Sequence, residues 1–371
     1  MRLLWSSDHH TLHANTPTKH ILANLDTFLL KDHDLAVVDM VIFGGDFFER
    51  MVERPNRDMY SVEEWATNFF RRCYEHDVRV IFLEGTSSHD RGQPAHLKFN
   101  APEGMKFEYV DTLCIKTYPE FDNFSIMFVP DNMGKATPAE IWEKALEVLV
   151  AAGLEKVSLI AFHGAFEFQL HSAARHKAHI LELWESIVEY LILAGHIHTP
   201  VRVSKLCTSG SFDRTRHGEE HPKGGYTVDF DLVKKTFNAV FYENKNALPY
   251  VTMPVGKETT PEDLIKSIHT FIRDRKFPHG SHLRLLGGVA DIVNPVVAVL
   301  THEYPHIHIK AENEVHKDVL LDEELFDGSV YEGVSITSGN LEEALFPEIK
   351  DLLTKEQISE DEVRELLKEF K

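Results

Sequence analysis

Five stretches of the chain are almost unbrokenly apolar and rich in β-branched residues. They read RLLWSSD (2–8), LAVVDMVIFGGD (35–46), VRVIFLEG (78–85), KVSLIAFHG (156–164) and YLILAGHIH (190–198). Each gives way to a polar or glycine-rich loop. A half-buried strand would alternate in polarity, whereas a continuous apolar run predicts a strand covered on both faces. Helix-like stretches lie between the runs. One covers Thr18–Leu30. A second, Ser61–His76, opens with SVEE, a capping-box pattern, and a third, Pro138–Ala152, follows Thr137 as its N-cap. Alternating strands and helices predict an α/β protein built of layered sheets.

Beyond about Gly224 the pattern changes. GGYTVDFDLVKKTFNAVFYEN reads as a hairpin and TPEDLIKSIHTFIRDRKF as a helix. HLRLLGGVADI, a short helix in NPVVAVLTHEYP, and IHIKAENEV follow. These elements predict a smaller α+β domain. The last stretch carries two short amphipathic helices. In the second, Val363, Leu366, Leu367 and Phe370 recur at helical spacing. The expected division is a main domain at 1–230, a capping domain at 231–335 and a helical tail at 336–371.

Composition narrows this only a little. At 371 residues the chain is long for one domain, and 43% hydrophobic content is ordinary for a folded protein. No apolar run approaches the length of a membrane span, and MRLLWSSDHH turns polar too soon for a secretory signal. Cys73, Cys114 and Cys207 lie far apart with no CxxC, which suits a reducing cytoplasm. The formal net charge of −20 argues against nucleic acid held by whole-surface attraction. It does not exclude such a substrate, because carboxylates gathered at a metal site count as negative until ions bind.

The candidate chemistry lies where the apolar runs end. The first run delivers Asp8 and His10, and the second Asp46. The third delivers His89 and Asp90, the fourth His163, and the fifth His196 and His198. Open α/β sheets place their sites beyond the C-terminal ends of strands, so residues scattered in sequence are expected to meet in space. His9, His13, His20, His33, His76 and His96 are read as structural or exposed.

This ordered set resembles the calcineurin-like metallophosphoesterases, whose pattern is DxH, GD, GNHD, an isolated His and GHxH. A GS turn, a Glu and a Lys-Gly pair after GHIH narrow the resemblance to the SbcD nuclease family, as does DFFERMVERPN after Asp46. It covers about residues 1–230, and the capping region by architecture only. The resemblance implies a layered β-sandwich core flanked by helices and two divalent metal ions, with manganese the usual choice. Asp46 would bridge the ions, with Asp8, His10 and His198 on the first and His163 and His196 on the second. His89 would protonate the leaving oxygen, with Asp90 orienting its ring. Ser88 would stand where GNHD has a metal-binding Asn, and Glu49 where nucleases of this family often have His.

The implied function is a DNA exonuclease and endonuclease, the catalytic subunit beside an SbcC-like coiled-coil ATPase, acting as a homodimer with no membrane association. The tail would dock on the ATPase's coiled coil. A phosphatase or cyclic-nucleotide phosphodiesterase on the same scaffold is one competing reading. A non-catalytic binding scaffold is the other.

Overall fold

The computed structural model describes residues 1–312 except 132, 133 and 135. The helical tail and the end of the capping region lie outside the described residues.

Strands β1 (Arg2–Ser6), β2 (Met40–Phe43), β3 (Arg79–Leu83) and β4 (Phe107–Val110) run parallel in one sheet. A second sheet holds β5 (Cys114–Tyr118), β6 (Phe124–Val129), β7 (Val157–His163), β8 (Val188–Gly195), β9 (Val201–Val203) and β10 (Leu206–Thr208). Its order is β5-β6-β7-β8-β10-β9. The chain then returns to the first sheet as β11 (Gly224–Asp231) and β12 (Thr236–Glu243), giving β12-β11-β1-β2-β3-β4.

Each apolar run has two covered faces, as its pattern requires. In β1, Leu3 and Trp5 point between the sheets, where they meet Ile126, Phe128, Leu159 and Leu193. Leu4 points the other way, with Val41, Phe43, Val80 and Phe82, toward helices α1 (Thr18–Asp26) and α2 (Arg57–Glu75). The outer face of the second sheet, with Met127, Ile160, Phe162 and Ile192, is covered in the same way. After the short α3 (Gln93–His96), the helices there are α4 (Pro138–Ala151) and α5 (Leu181–Ser186). The result is a four-layer α/β sandwich. Phe43 and Phe82 stack at 4.5 Å, and removing such a core ring typically costs about 3–5 kcal/mol.

Two boundaries differ from the sequence reading. Helix α2 begins at Arg57 rather than Ser61, because the side chain of Asn56 accepts the N–H groups of Asp58 and Met59 and caps the helix first. Strand β12 pairs residue for residue with β11, so the hairpin belongs to the main sheet despite the expected division at 230/231. The smaller unit is a parallel sheet of β13 (Tyr250–Val255), β14 (Ser281–Gly287) and β15 (Ile307–Glu312). Helices α6 (Pro261–Arg275) and α7 (Ala290–Glu303) connect its strands. Thr137 caps α4 as expected and forms a capping box with Glu140, whereas the capping box expected at Ser61 does not form because SVEE lies inside α2.

Candidate metal centre

The loops after β1 and β2 are laced together. Gly44 N–H donates to Ser6 O (2.8 Å), Asp8 N–H to Gly45 O (3.0 Å) and His10 N–H to Asp46 O (3.1 Å). The backbone around the site is unusual. Asp8, His10, Asp46 and His196 all have positive φ, at 52°, 49°, 50° and 90°. Non-glycine residues avoid that region, at about 1–3 kcal/mol each, and tend to hold it where function requires. The glycines are fixed by close approach. A Cβ on Gly45 would lie 2.2 Å from His163 Nδ1, and one on Gly85 2.2 Å from the Asp46 nitrogen.

Asp8, His10 and His198 form one buried group whose donor atoms converge. His10 Nε2 and His198 Nε2 face each other at 2.9 Å, and His198 Nε2 lies 3.9 Å from Asp8 Oδ1. The far side of each ring meets a carboxylate. Glu49 Oε2 is 2.8 Å from His10 Nδ1, and Glu219 accepts a hydrogen bond from Nδ1 of His198. Glu219 is itself buried and held by Thr215, while Lys223 Nζ, 3.5 Å away, donates to Ser211 Oγ (2.7 Å) and His198 O (3.2 Å). Burial opposes charge on Glu219, but Lys223 and His198 outweigh it and hold the carboxyl well below its usual range. Burial likewise opposes charge on His10, yet Glu49 pushes that ring up to about 9.

Asp46, His163 and His196 form the second buried group. His163 Nδ1 donates to Gly44 O at 2.7 Å, which turns Nε2 toward Asp46 Oδ2 at 3.2 Å. Asp46 also accepts from Thr86, through the backbone N–H (2.6 Å) and the hydroxyl (3.1 Å). Without an ion, burial opposes charge on both partners. Their mutual attraction prevails, so His163 titrates well above its ordinary range and Asp46 well below.

Three expectations change here. Asp90 does not orient His89. Its carboxylate accepts from Phe48 N–H (2.9 Å) and Gly85 N–H (3.0 Å) and ties two loops together, while His89 Nδ1 bonds to the Glu49 carbonyl at 2.7 Å. Ser88 is not the oxygen beside the second group. Thr86 is, because the loop carries three residues between Gly85 and His89 and the first of them stays against Asp46. Glu49 does more than replace a histidine, since it backs His10. His9 is structural as expected: buried against Phe43, Phe47 and Phe212, it is pushed down to about 3 by that burial.

The donor set fits divalent ions. Two imidazole nitrogens at 2.9 Å, each with a carboxylate behind the ring, repel unless a cation or proton lies between them. No hydrogen bond satisfies the buried His163 Nε2 among the described residues. Mixed imidazole and carboxylate donors suit manganese, iron or zinc.

No protein-family model matches the chain, and no curated protein does. Among solved structures, one is similar at 14% identity with a TM-score of 0.40, covering 65% of this chain and 99% of its own. The crystal structure of TT1561 of Thermus thermophilus is similar at 11% identity with a TM-score of 0.35, covering 65% and 98%.

Proposed function

We propose that the chain is a metal-dependent phosphoesterase of the calcineurin-like type and, within that class, a DNA nuclease subunit similar to SbcD. The observation that carries the reading is the pair of convergent, buried His/Asp groups at the C-terminal strand ends. Divalent ions bound there would polarise a phosphate and lower the pKa of an attacking water. Asp8, His10 and His198 would hold one ion, His163 and His196 the other, and Asp46 would serve both. His89, its ring 5.0 Å from that of His10, is fixed as a donor at Nδ1. Its Nε2 is left to exchange a proton with a leaving oxygen.

The narrower assignment rests on the sequence pattern after His198, and Glu219 and Lys223 of that pattern support it by flanking a candidate ligand. DNA, an SbcC-like ATPase docked through the tail, and a second copy of the chain are the partners this reading expects. A net charge of −20 leaves much of the DNA-holding surface to such a partner. No helix among the described residues is long and apolar enough to cross a membrane.

The test supplies manganese to metal-stripped protein and compares duplex DNA with a small phosphate monoester. Manganese-dependent release of nucleotides is expected. Turnover of the monoester alone would move the reading to a phosphatase, and ion binding without turnover of either would leave a binding scaffold.

A further inference from the structure

The loop Glu84–Asp90 joins β3 to His89 and departs from the GNHD pattern in length. One residue stands between Gly and His in the pattern; here Thr86, Ser87 and Ser88 do. Counted back from His89, the amide position falls on Ser88. Counted forward from the strand end, it falls on Thr86. The geometry decides between them. Asp90 anchors the near end of the loop by accepting Gly85 N–H at 3.0 Å, so Thr86 is carried directly onto Asp46. The Thr86 side chain is buried, with its hydroxyl 3.1 Å from Asp46 Oδ2 and 3.4 Å from His196 Nδ1. Ser88 is half-buried and touches neither group by any hydrogen bond.

We propose that Thr86 supplies the neutral oxygen of the second ligand group, and that Ser87 and Ser88 are an insertion that carries the loop on to His89. A hydroxyl oxygen bears no formal charge, as an amide oxygen does not, so the charge of the group is preserved. A threonine is shorter than asparagine. Its backbone therefore has to approach the acid more closely, and the 2.6 Å contact from Thr86 N–H to Asp46 Oδ1 shows that approach. Gly85 permits it, because a Cβ there would strike the Asp46 carboxylate oxygen at 2.2 Å.

This inference rests on the metal-centre reading, and one experiment separates the two. The metal-stripped full chain is titrated with Mn²⁺ alone, and bound ions are counted by calorimetry and elemental analysis. Wild type should take up two. Thr86→Val, which removes the hydroxyl at similar size, should bind one ion normally and the other about 10–100-fold more weakly. Thr86→Ser and Ser88→Ala should each keep both. Two ions bound by Thr86→Val as tightly as by wild type, or an ion lost from Ser88→Ala, would overturn the assignment. Should Thr86→Val fold poorly, Thr86→Ala decides. With only a methyl left at this position, one ion is weakened if the assignment holds and both are kept if it does not. Wild type that binds no ion would instead overturn the metal centre itself.

Discussion

The two ligand groups are built from the same residue types but backed differently. Behind His10 and His198 stand the carboxylates of Glu49 and Glu219. Among the described residues, the Gly44 carbonyl stands behind His163 and the Thr86 hydroxyl beside His196. A carboxylate behind an imidazole raises its basicity and fixes its tautomer, and such partners are typically worth about 10–100-fold in metal affinity. The first group should therefore hold its ion more firmly than the second.

Asp46 offers the largest test of that contrast, since it is the acid proposed to serve both halves. Asp46→Ala should abolish phosphodiester hydrolysis and lower metal content in both groups. If elemental analysis found one ion retained, Asp46 would belong to the second group alone, and two retained ions would exclude it from both. His89 belongs to neither half. His89→Ala should keep both ions and lose about 10²–10⁴-fold in rate, read by single-turnover kinetics; an ion lost from this variant would make His89 a ligand instead.

Glu219→Gln keeps the size of the side chain but removes the charge behind His198. It should weaken one ion about 10–100-fold and leave the other untouched. Equal weakening of both ions would dissolve the distinction between the groups. The smallest effect concerns the neutral surroundings of the second group. His179 packs against Phe162 and Trp184, and burial pushes its ring down to about 4, with His196 adding to the shift. A histidine depressed on folding contributes stability above its unfolded pKa near 6.5, and that contribution is lost as pH falls toward 4. Between pH 7 and 5 the ion-free protein should lose about 2 kcal/mol through this ring. Urea unfolding at the two pH values would show His179→Phe missing that share.

The pattern of the chain made the strands legible because each is covered on both faces, so Leu3, Leu4 and Trp5 could all be apolar. It also placed Asp8, His10, Asp46, His163, His196 and His198 at one edge, since parallel strands share their C-terminal ends. Partners fixed by loops that cross in space were not legible. Asp90 spends its carboxylate on Phe48 and Gly85, and nothing local marks that choice. Glu219 lies 21 residues beyond His198 and meets it only through the fold. Thr86 did carry a signal: it directly follows the strand-end glycine, and counting from the strand rather than from His89 finds it.

The central claim is that two separate ligand groups each hold one divalent ion. Stepwise titration of the metal-stripped protein with Mn²⁺, alongside Asp8→Ala and His163→Ala, tests it most directly. Two ions per chain are expected for wild type. Asp8→Ala should lose the tighter one and His163→Ala the weaker. A wild-type protein that binds none, or two ions that neither substitution removes, would contradict the account.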